Sequence, residues 1–220
     1  MQLAAVLWDM DGLLVDSEPL WTVAEVALAE ELGGTWSDQL KAAIAGTRLD
    51  VAVPAILEHY GRETDPATVT WASQWLLDRM AISYQENPPL LPGVPELLRA
   101  IHDAGIPQAL VSSSYRVLVD AVLAHGYGPF ALSLCGDEVR HGKPHPEPYL
   151  TAAARLGVDP AGCVVLEDSA AGVLSGEAAG CAVVAVPSVP GVSVLETARI
   201  SVRRSLAEVD VDLLRELVSR

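Results

Sequence analysis

Residues 3–12 read LAAVLWDMDG, an unbroken apolar run from Leu3 to Trp8 halted by Asp9-Met10-Asp11-Gly12. A short continuous apolar run suits a strand buried on both faces, whereas a strand with one wet face alternates. Similar runs recur at Ile106–Val111, Ala131–Cys135, Cys163–Leu166 and Cys181–Val186. Helical patterns separate several of them. Val94–Ala104 places Leu97, Leu98 and Ile101 on one face and stops at Gly105. Tyr115–His125, Pro146–Leu156 and Ser169–Ala179 stop at Gly126, Gly157 and Gly180, glycine being favoured just past a helix end. Strands alternating with helices need crossover connections, so the expected class is α/β with a mostly parallel sheet.

From Ser17 to Asn87 the alternation lapses into helical periodicity alone. Leu20, Ala24, Leu28 and Leu32 form a stripe that ends at Gly33-Gly34, and Val51–Tyr60 and Val69–Tyr84 continue in that style. Pro88-Pro89 and Pro92 mark the return. The expectation is a core of residues 1–16 and 88–220 carrying a helical insertion of residues 17–87. Trp21, Trp36, Trp71 and Trp75 all fall inside the insertion and are expected to form its small core. Stacking of one of them on a sugar is the alternative.

Bulk composition removes several function classes. With 14 Lys and Arg against 29 Asp and Glu, the net charge is −15, and the only adjacent basic pair is Arg203-Arg204. Such a surface repels nucleic acid and anionic membranes. Cys135, Cys163 and Cys181 are scattered and odd in number, as expected for buried, reduced thiols rather than a disulfide framework or zinc site. The opening MQLAAVLWDMDG has no basic n-region, so no signal peptide is expected. Pro187 and Pro190 interrupt the apolar stretch Cys181–Leu195, so it is not expected to span a membrane. A soluble cytoplasmic protein with no obligate protein partner is the resulting expectation.

Parallel sheets bind ligands beyond the carboxyl ends of their strands. Those ends carry Asp9 and Asp11 after the first apolar run, Ser112-Ser113-Ser114 after the second, and Glu167-Asp168 after CVVL, with Lys143 in HGKPHPEPY. Each has an ordinary reading alone: an acidic turn, a helix cap, a solvated loop charge, or a capped helix start with favourable dipole placement. Their order is the stronger signal, because every piece lies just past an apolar run. Phosphoryl transfer explains the mixture. A carboxylate nucleophile needs charge neutralisation before it approaches a phosphate monoester, and a hard cation such as magnesium held by oxygen ligands supplies it. Lys143 would add positive charge against the phosphoryl oxygens, and the Ser112 hydroxyl would hold them. Asp9 would attack, while Asp11 would protonate the leaving oxygen and later take a proton from water.

DMDG, LVSSS, GKPHPEPYL and LEDSAAG resemble, in order, the four signature motifs of the haloacid dehalogenase superfamily. The resemblance covers the chain from about Leu3 to Val186 and implies a Rossmann-like core. The insertion resembles the helical cap of the β-phosphoglucomutase-like branch. Within that branch DMDGLLVDSEPLW, GTRLDV, LLPGV and KPHPEPYL look closest to 2-deoxyglucose-6-phosphate and hexitol phosphatases. The resemblance implies Asp9 as nucleophile, Asp11 as acid/base, Ser112 and Ser113 as phosphate-binding residues and Lys143 as the neutralising cation. It implies magnesium on Asp9, the Asp11 carbonyl and Asp168, with Glu167 assisting or ligating. Two positions depart from the pattern: Trp8 stands where Phe is common, and Trp21 stands where the mutases carry a histidine.

The expected function is therefore a magnesium-dependent phosphatase acting on a small phosphorylated metabolite, a sugar or polyol phosphate. β-Phosphoglucomutase is the nearest rival, disfavoured by the missing histidine. A dehalogenase proper is disfavoured by the second Asp and the acidic cluster. A signalling receiver domain places its acidic pair differently and lacks the insertion, and no substitution points to a silent binding protein. Arg48, Glu18 and Trp21 are open candidates for substrate contacts.

Overall fold

The computed structural model describes residues 2–44, 47–86, 88–188 and 194–220. The chain starts with β1 (Ala5–Trp8) and then forms four successive helices, α1 (Glu18–Glu31), α2 (Asp38–Ile44), α3 (Leu49–His59) and α4 (Pro66–Gln85). Alternation resumes with α5 (Val94–Asp103), β2 (Gln108–Val111), α6 (Arg116–Leu123), β3 (Leu132–Leu134) and α7 (Glu147–Leu156). It finishes with β4 (Cys163–Glu167), α8 (Ala170–Ala178), β5 (Ala182–Ala185), β6 (Ile200–Val202) and α9 (Val211–Ser219). The sheet runs β3-β2-β1-β4-β5-β6, and every neighbouring pair is parallel. The expected α/β class with a mostly parallel sheet is the class found.

The apolar runs became strands because both faces of the sheet are covered. Val6, Trp8, Leu110, Val164, Leu166 and Val184 face one side, together with α5, α6, α9 and the helical insertion. Ala5, Leu7, Ala109, Val111, Val165 and Val183 face the other, against Tyr149 and Ala152 of α7 and Val173 of α8. Trp8 is fully buried, and its Nε1 donates to Gln108 Oε1 at 3.0 Å. Gln108 in turn donates to Leu98 O at 3.1 Å, so the indole is satisfied within the core.

The tryptophans of the insertion do not make a separate core. Trp21, Trp36 and Trp75 are only partly buried at the margin of a continuous cluster, and Trp71 is 43% exposed. The fully buried positions instead include Leu28, Leu57, Met80 and Tyr84. These pack into the same cluster as Leu14, Leu110 and Leu118, so insertion and sheet share one apolar interior. Indoles are large and carry a polar N–H, which favours such half-buried seats.

Three elements were not foreseen. β6 is only Ile-Ser-Val and joins the sheet at its edge by pairing with β5. α9 buries Leu214, Leu217 and Val218, and α2 buries Leu40 and Ile44. The expected end of the insertion at Asn87, and Pro190, lie outside the described residues. Among the described residues no helix is long and apolar enough to cross a membrane.

Candidate active site

The strand order reverses between β1 and β4, and a parallel sheet opens a crevice at such a switch point. Trp8 pairs with both Leu110 and Leu166, so the residues following three strands share one rim. Asp9 N donates to Leu166 O at 3.0 Å, extending the ladder by one residue. That brings Asp9 beside Glu167 and Asp168: one carboxylate oxygen from each lies within 4.8 Å of the others, and all three residues are buried.

Lys143 enters this cluster from the loop before α7, with its side chain only 2% exposed. Its Nζ donates to Asp9 Oδ1 at 2.5 Å, Glu167 Oε1 at 2.6 Å and Val111 O at 3.0 Å. The solvated-loop reading of Lys143 is therefore set aside. Burial alone would lower its pKa, but Asp9 and Glu167 outweigh that and hold it well above the usual lysine value. Burial pushes the Asp9 carboxyl up; Lys143 opposes this, while Glu167, Asp168 and Asp11 reinforce it. Burial, then Glu167, pushes Asp168 up to about 8 against the pull of Ser188 and Lys143. One buried cation is too little charge for three buried carboxylates. The set is all hard oxygen, and that deficit is what a divalent cation would fill, so the residues fit such an ion.

Glu167 is the most heavily bonded member. Its Oε1 accepts from Lys143 and from Tyr149 Oη at 2.7 Å. Its Oε2 accepts from Asp168 N, Ser169 N and Ser169 Oγ at 3.1, 3.2 and 3.0 Å. Ser169 Oγ also caps α8 by accepting from Gly172 N at 3.0 Å, so the expected capped helix start is present alongside the carboxylate cluster. A Cβ on Gly172 would collide with the Glu167 carboxylate, and one on Gly12, at φ +78°, would collide with that of Asp168. Both glycines let backbone close around charge.

The Asp11 carboxylate points to a different set of donors. Trp21 Nε1 reaches Oδ1 at 3.2 Å, and the Tyr84 hydroxyl makes a short hydrogen bond to the same oxygen. Ser114 Oγ at 2.7 Å and Ser112 Oγ at 3.3 Å donate to Oδ2. Trp21 therefore does more than pack or line an entrance: it grips the candidate acid/base from α1. Ser112 Oγ also accepts from Ser114 N at 2.9 Å, and neither serine caps α6, whose N-cap is Tyr115. Ser113 and Ser114 line the adjacent cavity; Ser112 is buried behind them.

That cavity, about 380 Å³, lies between the sheet rim and the helical insertion. Asp9, Asp11, Lys143 and Asp168 line its floor, and Glu18, Trp21, Glu25 and Lys41 line the insertion side. Arg48 is not among the lining residues. Its guanidinium pairs with Asp50 and donates to Val139 O at 3.1 Å, tying the insertion to the core. Sequence reasoning missed Tyr84, Tyr149, Ser188, Glu25 and Lys41. Ser188 donates to Asp168 Oδ2 from beyond β5, where no pattern marked it. The i, i+3, i+7 spacing of Glu18, Trp21 and Glu25 was the one available signal for the α1 face.

The family model for haloacid dehalogenase-like hydrolases matches residues 3–180. Hexitol phosphatase B of Escherichia coli (strain K12) is 34% identical over 230 aligned positions, covering 100% of this chain and 96% of that protein. A probable pseudouridine-5'-phosphatase of Drosophila melanogaster is 35% identical, covering 82% of this chain and 80% of its own length. Among solved structures, β-phosphoglucomutase from Clostridium difficile superposes with a TM-score of 0.83 at 22% identity, covering 100% and 98% of the two chains. That last likeness speaks to the fold.

Proposed function

The chain belongs to the haloacid dehalogenase-like hydrolases and is a phosphatase, and on that footing we propose that it hydrolyses a small sugar or polyol phosphate through an aspartyl-phosphate on Asp9. The observation that carries this reading is the buried Asp9–Lys143–Glu167–Asp168 cluster at the floor of a cavity roofed by helices. At about 380 Å³ the cavity lies near the lower end of the roughly 300–1,000 Å³ usual for small-molecule sites, which suits a metabolite. We read residues 17–87 as a cap over the core.

Asp9 and Asp168, with the Asp11 carbonyl, would hold magnesium. When bound, the cation supplies positive charge that lets a carboxylate approach an anionic phosphoryl group. We assign Glu167 an orienting role, since both its oxygens already accept from protein donors. Lys143 neutralises phosphoryl oxygens while keeping Asp9 in line for attack. The Asp9 oxygen forms a bond to phosphorus as the bond to the sugar oxygen breaks. Asp11 gives that oxygen a proton. Asp11 then takes a proton from water as water attacks phosphorus, and the acyl-phosphate bond breaks to free Asp9 and phosphate. Ser113, Ser112 and backbone N–H groups at the end of β2 are the phosphate seat in this reading. Trp21 and Tyr84 belong to the insertion, so their hydrogen bonds tie the Asp11 carboxylate to the cap.

Asp11→Asn tests the acid/base role. Magnesium and substrate affinity are expected to persist, while turnover of an alkyl phosphate falls about 10²–10⁴-fold. A loss below threefold, measured by phosphate release, would remove Asp11 from the mechanism.

The mutase alternative is tested by product. With β-glucose 1-phosphate and catalytic bisphosphate, free phosphate is expected to appear faster than glucose 6-phosphate. A mutase must keep water from its phospho-aspartate and retain its intermediate, and an indole at Trp21 relays no proton. Glucose 6-phosphate forming faster would place the chain with the mutases.

A further inference from the structure

Glu25 takes no part in that chemistry, and the described residues offer its Oε2 no hydrogen-bond partner. The residue is 9% exposed, lines the cavity, and that oxygen has no hydrogen-bond partner among the described residues. Its neighbours on the same face of α1 show where it lies. Trp21 grips Asp11, while Glu18 is close enough to Asp168 to help raise its pKa. Four residues beyond Trp21, at about 1.5 Å of rise per residue, Glu25 stands roughly 6 Å farther along the helix from the reacting end. The cavity lining also includes the apolar Ile44, Leu49, Ile56 and Leu76.

The nearby cation is already engaged. Lys41 pairs with Glu18 at 3.1 Å and makes a short hydrogen bond to the Thr22 hydroxyl. Burial pushes the Glu25 carboxyl up to about 7, with Lys41 opposing and Glu18 reinforcing. A carboxyl kept from water without a full set of partners works against the fold. Such local violations gather at functional positions.

We propose that Glu25, backed by the Lys41–Glu18 pair, is the specificity-determining contact that accepts hydrogen bonds from hydroxyls at the end of the substrate remote from its phosphate and rejects anionic remote ends. This rests on the phosphatase reading above. Above about pH 7, the value to which burial lifts it, Glu25 is mostly ionised; an ionised carboxylate only accepts, and hydroxyls donate. Apolar walls suit the C–H faces of a polyol, while a second phosphate or a carboxylate beside Glu25 would meet like charge with Lys41 already neutralised. The substrate class is thus a phosphate monoester with an uncharged, hydroxyl-rich tail.

The experiment compares the full-length chain with Glu25→Leu and Glu25→Gln on three substrates with magnesium present: sorbitol 6-phosphate, 6-phosphogluconate and p-nitrophenyl phosphate. The parent is expected to prefer sorbitol 6-phosphate over 6-phosphogluconate. In Glu25→Leu the kcat/KM ratio of sorbitol 6-phosphate to p-nitrophenyl phosphate should fall about ten- to hundredfold, the scale of a lost hydrogen bond to a charged group. Most of the fall should appear in KM. Glu25→Gln keeps an acceptor without the charge, so it should recover part of that ratio and narrow the discrimination against 6-phosphogluconate. A ratio within threefold of the parent, equal losses on all substrates, or a parent that prefers 6-phosphogluconate overturns the proposal and leaves the phosphatase reading standing. If the parent releases phosphate from none of the three, the sugar- or polyol-phosphate reading falls instead. Calorimetric affinity for sorbitol 6-phosphate then decides: a weakening of more than tenfold in Glu25→Leu upholds the contact, and anything less overturns it.

Discussion

Replacing Asp9 with Asn is expected to abolish phosphate release, a loss on the order of 10⁶-fold as for other enzymes deprived of their nucleophile, while the protein stays folded. The amide has the size of the carboxylate but cannot form the acyl-phosphate. The fold should tolerate it, because Lys143 retains Glu167 as a buried partner at 2.6 Å. Asp9 itself is held above its usual pKa by burial and by three neighbouring carboxylates, so losing its charge relieves repulsion as well as removing a partner. Phosphate release and thermal unfolding of the two proteins provide the check, with a parent sample in excess chelator alongside. A variant within tenfold of the parent would remove Asp9 as nucleophile, and full parent activity in chelator would remove the cation from the mechanism.

Lys143→Ala should damage stability and activity together. It leaves Asp9, Glu167 and Asp168 buried beside one another without a cation. Removing one partner of a buried ion pair typically costs about 3–5 kcal/mol. For a chain of this length that lowers Tm by roughly 6–20 °C. Turnover should fall about 10³–10⁵-fold, the range for removing a charged group that stabilises phosphoryl transfer. The stability loss should depend on pH with a definite sign. A carboxyl whose folded pKa is raised contributes stability that is present at low pH and lost as pH climbs through the folded value. Asp168 already stands at about 8, with Lys143 pulling it down, and without Lys143 both it and Asp9 move higher. The variant should therefore lie closest to the parent near pH 5 and furthest from it at pH 8, measured without divalent cation. Melting curves within 2 °C of each other at pH 8 would show that Lys143 does not stabilise the buried carboxylates as its distances imply.

Much of the candidate site was legible in the chain because most of its residues directly follow strand ends. An apolar run that stops at a polar residue marks the carboxyl end of a buried strand. Asp9, Ser112, Glu167 and Asp168 were readable for that reason, and Lys143 from the motif around it. The insertion was legible as helical but not as packed. Its tryptophans invited a separate core, yet burial fell to Leu28, Leu57, Met80 and Tyr84, within a cluster continuous with the sheet. β6 escaped notice because three residues cannot establish a period, and its place depends on pairing with β5.

The sequence by itself determined the α/β class, the helical insertion after the first strand, and a line of carboxylates and serines at successive strand ends, with a lysine in the loop before α7. Apolar run length and helical periodicity are local properties, so they survive being read one residue after another. Only the tertiary structure decided which side chains touch. Trp21 and Tyr84 hold Asp11, Tyr149 holds Glu167, and Arg48 turns away from the cavity. Glu25 is left buried against the cavity, one carboxylate oxygen without a hydrogen bond among the described residues. Those contacts join residues up to about a hundred positions apart, and their partners are chosen by how helices pack over the sheet, which no local pattern encodes.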